Sequence, residues 1–441
     1  MISEVETAMK IGIIGTGYVG LTTGACFASL GNDVLCVDNN EKKIAMLKKG
    51  HMPIYEPGLE ELVKTNIKEN RLAFTTSISD AVKKCEVVFI CVNTPPKENG
   101  DADLSAVEVV SQAIAKHMTS YRLIVEKSTV PVETGSRVKQ TIKVNARKNV
   151  NFDVASNPEF LKEGSAIHDF LNPDRVVIGV ESKKAEKILR DLYKPLSAPI
   201  VVTDIQSAEI IKHASNSFLA SKISFINLIA RICDRVGADI NKVAEGIGLD
   251  HRIGKDFLRP GAGFGGFCFP KDLAAFIRIA EKLGVEMKML KAVAEANEDQ
   301  KNYFLKMIED NLWNLKNKTV GVLGLSFKPD TDDIRFAPAI DIILKLEREG
   351  VKVRAFDPQA INNARAVLNG TVYAKDSYDA VKGADALVIL TEWNEFRQLD
   401  FKRIKKLMKR PLVIDGRNIY SPEKMRELGF QYISIGRPTV Q

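Results

Sequence analysis

Apolar residues arrive in short bursts through the first two hundred positions, and each burst is followed by a longer stretch with helical spacing. KIGIIG (10–15), DVLCVD (33–38), VVFICV (87–92), RLIVEKS (122–128), FDVAS (152–156) and RVVIGV (175–180) are compact and rich in β-branched residues. Strands covered on both faces read this way. Helical patterns lie between them, for instance Ala81 to Cys85 and Ser105 to Met118. A βαβ series of this kind predicts a doubly wound sheet.

The rhythm changes near Thr203. SAEIIKHASNSFLASKISFINLIARICDRVG (207–237) contains no proline and no internal glycine, and predicts one long helix closed by Gly237. Asp204 or Ser207 is placed to cap it. Apolar and small side chains occur almost all round, so the helix is expected to be buried, with a second subunit as one possible cover. After Lys316 the opening pattern returns. KTVGVLGLSFKPD (318–330) runs a strand into glycines, VRAFD (353–357) ends on an acid as VLCVD does, and ALVILT (386–391) and LVIDG (412–416) continue the series. The expected fold class is therefore α/β: two Rossmann-like, doubly wound parallel-sheet domains joined by a long central helix. The expected boundaries are 1–203, 204–312 and 313–441. Two such domains suggest two nucleotide-like ligands.

Length and charge change this picture little. The 441 residues exceed one ordinary core. No apolar run is long enough to span a bilayer, and the polar start MISEVETAMK has no secretory pattern. Lys plus Arg total 63 against 56 Asp plus Glu, a modest excess of +7. The densest basic run, FKRIKKLMKR (401–410), has helically spaced apolar residues and reads as a solvated face, so neither nucleic acid nor membrane is an expected partner. The five histidines have no metal-ligand spacing, and no metal is expected. None of the six cysteines forms CxxC, and five sit in apolar segments, as reduced cytoplasmic thiols do.

GTGYVG (15–20) fits the dinucleotide fingerprint in its proper context: after a strand, opening a helix, with Asp38 closing the next strand. Gly15 permits the turn, Gly17 lets a pyrophosphate approach and Gly20 allows close helix packing. Asp38 suits both ribose hydroxyls and repels a 2′-phosphate, so NAD is expected rather than NADP. VNTP (92–95), with Thr94, and EKSTVPV (126–132), with Thr129, fall at the carboxyl edge of the sheet. The sixth cysteine, Cys268, lies in GAGFGGFCFPKD (261–272). Pro270 suits a first helical turn, so Cys268 is expected just before a helix N-terminus, with Lys271 adding charge; both effects favour a thiolate. Gly265 and Gly266 are expected to clear a path to the sulfur, and Asp272 to share its face or hold a water. A passive cysteine in a tight glycine turn is the competing reading. Lys212 and Asn216, and likewise Glu159 and Glu163, are spaced i, i+4. A nicotinamide cofactor with a nucleophilic thiol makes a four-electron oxidation: alcohol, thiohemiacetal, thioester, acid.

Taken together, GTGYVG, VNTP, EKSTVPV, SNPEFLKEG, KHASNSFLA, RIGKDFLRPGAGFGGFCFPKD, GLSFKPDTDDIR and DGRN resemble the UDP-glucose 6-dehydrogenases of the UDP-glucose/GDP-mannose dehydrogenase family, from Met9 to about Tyr420. The resemblance implies NAD-dependent oxidation of UDP-glucose to UDP-glucuronate, two NAD per sugar. It casts Cys268 as nucleophile and Asp272 as its water-holding partner. Lys212 and Asn216 would steady oxyanions, Thr129 would position water and nicotinamide, and Glu159 would assist thioester hydrolysis. Cofactor contacts would come from Gly15, Gly17, Val19, Gly20, Asp38, Lys43, Thr94, Glu163, Lys271 and Arg335. The substrate would lie along Glu159, Phe160, Leu161, Lys162 and Glu163, and along Phe257, Leu258, Arg259, Pro260 and Gly261, with Gly265 and Lys328. Arg252 would reach it from a neighbouring subunit. The family is at least dimeric through its long helix. Phe267 departs from the serine of many members, and an aromatic there would narrow the pocket beside the sulfur. The alternatives are a GDP-mannose or UDP-N-acetyl-amino-sugar dehydrogenase, a two-electron hydroxyacid dehydrogenase, and a non-catalytic NAD-binding module.

Overall fold

The computed structural model describes residues 8–97 and 100–440. The expected N-terminal extension, 1–8, falls outside this range except for Ala8. The described residues form two compact units: the chain up to Ser215 with Ala274–Leu283, and Asn216–Leu273 with the chain from Gly284 onward.

In the first unit the strands are β1 (Lys10–Ile14), β2 (Asp33–Val37), β3 (Leu72–Thr75), β4 (Val87–Ile90), β5 (Arg122–Glu126), β6 (Phe152–Ser156), β7 (Val176–Gly179) and β8 (Ile200–Thr203). Their order in the sheet is β3-β2-β1-β4-β5-β6-β7-β8. The first six follow the doubly wound 3-2-1-4-5-6 order, which brings the ends of β1 and β4 to the switch point. Alternation explains the double burial: Val87 and Phe89 of β4 join the aromatic core around Phe27 and Tyr193, while Val88 and Ile90 pack on the opposite face with Ile114 and Ile142.

β7 departs from the expected all-parallel sheet. It pairs antiparallel with β6 at one position, Ser156 with Gly179. The only helix between them is the six-residue Ala166–Leu171. At 1.5 Å per residue it spans about 9 Å, too little to carry the chain back along a five-residue strand of about 17 Å. β3 and β8 lay outside the strands read from the sequence; LAFT and IVVT are four-residue segments with little to distinguish them.

The second unit holds β9 (Thr319–Leu323), β10 (Lys352–Phe356), β11 (Val372–Tyr373), β12 (Ala386–Ile389), β13 (Leu412–Asp415) and β14 (Gln431–Ser434). All pair in parallel, in the order β11-β10-β9-β12-β13-β14, a second copy of the same winding.

The long helix runs Ile205–Val236. Asp204 is its cap, accepting from Ser207 N at 2.7 Å; Ser207 itself lies inside the first turn, not at the cap. Gly237 (φ +72°) ends the helix in the left-handed conformation that glycine takes most easily. The expectation of all-round burial does not hold within this one chain. Phe218, Phe225, Leu228, Ile232 and Val236, spaced by seven, three and four, form one exposed apolar stripe. No helix among the described residues is long and apolar enough to cross a membrane.

Candidate active site

In the first unit, β1 runs into Gly15 (φ +102°), whose N–H donates to Val37 O at 2.8 Å. Gly17 caps the helix Tyr18–Ser29, with Val19 in its first turn. A Cβ on Gly20 would sit 1.9 Å from Gly15 O, so only glycine lets this helix approach the turn. A Cβ on Gly17 would meet only Asn93 Oδ1, at 3.6 Å, which leaves its face open to a phosphate. Asp38 Oδ2 accepts from Thr16 N (3.1 Å), Thr16 Oγ1 (2.7 Å) and Lys43 Nζ (2.8 Å). Its Oδ1 accepts from Asn40 N at 3.0 Å. Burial opposes ionisation of Asp38, but the hydrogen bonds from Lys43, Thr16 and Asn40 outweigh it and hold the carboxyl below its usual range. An ionised acid at the end of β2 and a bare glycine turn at a helix N-terminus fit NAD.

At the carboxyl edge of the same sheet, Thr94 Oγ1 donates to Thr129 O at 2.8 Å, so the two threonine loops are joined. Lys127 is buried and donates to Asn157 Oδ1 at 3.0 Å; desolvation pushes its ammonium down to about 8. Lys212 Nζ lies 3.3 Å from Glu159 Oε1, with both side chains almost fully buried. Glu159 Oε2 accepts from Leu161 N at 2.6 Å. The Phe160 ring carries two cations, Arg175 at 3.8 Å and Lys212 at 5.3 Å. Glu159, Phe160, Leu161 and Lys162 line a cavity of about 230 Å³. Glu163 is half-buried in the same loop. The loop is pinned by Glu56, which accepts from Gly164 N (2.6 Å) and Ala166 N (2.7 Å) and bonds Tyr18 Oη. Glu56 was absent from the sequence reading: more than a hundred residues separate it from the loop, and no local pattern signals the pairing.

In the second unit, Cys268 is the first residue of the helix Cys268–Lys282, not the residue before it. It is half-buried, whereas the other five cysteines are buried, and none of the six forms a disulfide. Asp272, one turn on, is 1 % exposed. It accepts from Asn216 Nδ2 at 2.6 Å and pairs with Lys271 Nζ at 3.2 Å. The glycines before the thiol act differently from expectation. A Cβ on Gly265 would strike Phe336 O at 2.3 Å, and one on Gly266 would strike the Phe327 ring at 2.7 Å. They make room for the chain's own loop 327–337. Gly266 N donates to Arg335 O at 2.9 Å, and Asp333 holds the Arg335 guanidinium through both oxygens.

The segment 257–261 is fixed at both ends. Phe257 takes a left-handed conformation (φ +63°) with its ring 6.0 Å from that of Phe269. Gly261 N donates to Asn227 Oδ1 at 2.9 Å, and Gly261 O accepts from Gln300 Nε2 at 2.9 Å. Leu258 and Pro260 are buried and Arg259 is exposed. Lys328 Nζ lies 5.5 Å from the Phe327 ring centre. Arg252 is exposed and paired with Asp250 at 2.6 Å. The structure thus brings together Lys212, Glu159 and Phe160 in one unit, and in the other Asn216 of the long helix with Lys271 and Asp272 of the thiol's helix.

The sequence matches the profile of the UDP-glucose/GDP-mannose dehydrogenase family in three parts: its NAD binding domain at residues 9–197, its central domain at 206–299 and its UDP binding domain at 321–422. The chain belongs to this family. It is 49 % identical over 433 residues to a UDP-glucose 6-dehydrogenase of Bacillus subtilis, with 98 % of this chain and 94 % of the relative covered. It is 46 % identical to a UDP-glucose 6-dehydrogenase of Rhizobium meliloti, covering 98 % and 100 %. Among solved structures, a UDP-glucose dehydrogenase from Pyrobaculum islandicum superposes with TM-score 0.92 at 39 % identity, over 99 % of this chain and 100 % of the other. A GDP-mannose dehydrogenase from Pseudomonas aeruginosa superposes at 0.55 with 33 % identity, over 93 % and 97 %. The glycine turn and Asp38 therefore belong to an NAD-binding domain.

Proposed function

We propose that this chain oxidises the C6 alcohol of UDP-glucose to a carboxylate, consuming two NAD and one water and releasing UDP-glucuronate, two NADH and protons. The observation that carries the reading is the helix headed by Cys268, with Asp272 buried one turn on and held by Asn216 and Lys271. A two-electron alcohol dehydrogenase has no use for a half-exposed thiol at a helix N-terminus. A four-electron oxidation needs one.

NAD, held by the glycine turn and Asp38, would supply the two-electron acceptor that each of the two oxidations at C6 needs. The chain's own residues do the rest. Cys268 Sγ adds to the aldehyde carbon before it can leave. The Lys212 ammonium and Asn216 amide steady the oxyanion that forms. Asp272 holds the attacking water, Glu159 assists hydrolysis, and the departing sulfur returns to thiolate. Thr129, with Thr94 behind it, positions water and nicotinamide. The adenosine half lies on Gly15, Gly17, Val19, Gly20, Asp38 and Lys43, with Glu163, Lys271 and Arg335 as further cofactor contacts. Phe160, Leu161, Lys162, Phe257, Leu258, Arg259, Pro260, Gly261, Gly265 and Lys328 hold the UDP-sugar. On this reading residues 1–203 take NAD, 204–312 carry the thiol and 313–441 take the uridine nucleotide.

The exposed stripe at Phe218, Phe225 and Ile232 supports a homodimer through the central helix, with Arg252 offered to the partner's substrate. Mostly buried thiols that form no disulfide fit the reducing cytoplasm. The relatives that share about half of their residues with this chain are named for UDP-glucose, which favours that sugar over GDP-mannose. Purified protein is expected to form NADH fastest with UDP-glucose. Faster formation with GDP-mannose or a UDP-N-acetyl-amino sugar would move the assignment to that substrate.

A further inference from the structure

Phe267, the residue before the nucleophile, is flanked by two cations. The Arg335 guanidinium lies 4.2 Å from its ring centre and Lys271 Nζ lies 5.3 Å from it. Both distances fall within the range in which an aromatic face attracts a cation. The two cations are held differently. Lys271 is buried and is also bonded to Asp272. Arg335 has a half-exposed side chain forked onto Asp333, a carboxylate only two residues away on the same loop. Arg335 O also accepts from Gly266 N at 2.9 Å, which brings this loop against the residue before Phe267. The Phe267 ring is the apolar surface that keeps the guanidinium beside it. Lys271 stands three residues after Cys268 on one helix, hence on its face.

We propose that Phe267 is a positioning residue that gathers Arg335 and Lys271 beside Cys268 and thereby increases the thiolate fraction of the nucleophile. It replaces a function that a small residue cannot perform: a serine has no π face to hold a guanidinium. Each of the two cations has a carboxylate partner, Asp272 for Lys271 and Asp333 for Arg335. The inference rests on Cys268 being the nucleophile proposed above, but it is tested without substrate or cofactor.

The test is the rate of Cys268 alkylation by iodoacetamide as a function of pH, with Cys268→Ala as background; the other five thiols are buried and react slowly. Phe267→Leu keeps the apolar volume and removes the π face. It is expected to slow alkylation at pH 7 by about threefold to tenfold, the scale of a lost cation–π contact, and to converge with the parent at high pH. Phe267→Trp is expected to stay within about twofold of the parent at every pH. Arg335→Gln is expected to reproduce the leucine shift, and the double variant to add little to either. A leucine or Arg335→Gln variant that titrates like the parent overturns the proposal. So does equal slowing of the leucine and tryptophan variants at all pH values, which marks a packing role. Failure of the parent to form NADH from UDP-glucose would reject the functional reading and leave this result standing by itself.

Discussion

The two parallel sheets begin with the same turn and use it differently. Gly15 (φ +102°) and Gly324 (φ +99°) each end the first strand of their sheet. Each donates its N–H to the end of the second strand, to Val37 O at 2.8 Å and to Phe356 O at 2.9 Å. Each is followed on the second strand by an acid, Asp38 or Asp357. After Gly15 a helix starts at Tyr18; after Gly324 the next helix waits until Pro338. Asp38 keeps an oxygen bonded only to Asn40 N, at the margin of the fold. Asp357 is fully buried, and its Oδ2 is taken by Leu325 N, Ser326 N, Ser326 Oγ and Trp393 Nε1. Its Oδ1 is taken by Gln359 N and Ala360 N. The contrast recurs three strands on. Asp415, ending β13, accepts from Arg417 N, Ile419 N and Tyr432 Oη. Glu126, ending β5, accepts from Ser128 N, and its Oε2 has no hydrogen-bond partner among the described residues.

The lesson is one of acceptor capacity. In the first sheet the acids retain lone pairs and the helix N-terminus stands at the turn, so the site can take a ligand's hydroxyls and phosphates. In the second, the protein saturates its own acid, and the inserted loop 325–337 carries Phe327, Asp333 and Arg335 to the glycines before the thiol. The same turn has become a support for another part of the site.

The sharpest break of this comparison is Asp357→Ala. It strands several buried donors, each costing about 1–3 kcal/mol. Thermal unfolding is expected to fall by roughly 10 °C or more, and an unchanged Tm would mean the acid is not structural. Next comes Asp38→Ala. Its KM for NAD is expected to rise about tenfold or more and its preference over NADP to narrow, through loss of the ribose acceptor, with little change in Tm. Loss of stability without a cofactor effect would place Asp38 in the same class as Asp357. The smallest effect concerns Glu126, whose carboxyl burial pushes up from 4.5 to about 8. Between those values the folded chain keeps a proton that the unfolded chain has released. Stability therefore falls as pH rises through that window, and the full penalty stands above it. Glu126→Gln, which preserves the acceptor for Ser128 N, is expected to raise Tm by a few degrees at pH 9 and little at pH 5. A gain equal at both pH values would locate the benefit elsewhere.

Much of this was legible along the chain. The strands that open each sheet, the fingerprint glycines, Asp38 and the helix behind Cys268 all follow from local pattern, because turn, strand and helix start are decided within a few residues. The family resemblance came from motifs of the same local kind. The misses share a different cause. Glu56 reaches the 159–166 loop across the chain, Phe336 and Phe327 occupy the space that Gly265 and Gly266 vacate, and β7 reverses because a short helix cannot return it. Each depends on which distant segment arrives, and a glycine looks the same whether it admits a substrate or a neighbouring loop. The fork of Asp333 on Arg335 was within local reach, two residues apart in TDDIR, but an acid–arginine pair has no signature until its stacking partner is known.

The most direct measurement counts NADH formed per UDP-glucose consumed, in the parent and in Cys268→Ala. Two NADH per sugar in the parent, with no carboxylate product from the variant, is the predicted result. One NADH per sugar, or normal UDP-glucuronate formation without the thiol, would contradict it.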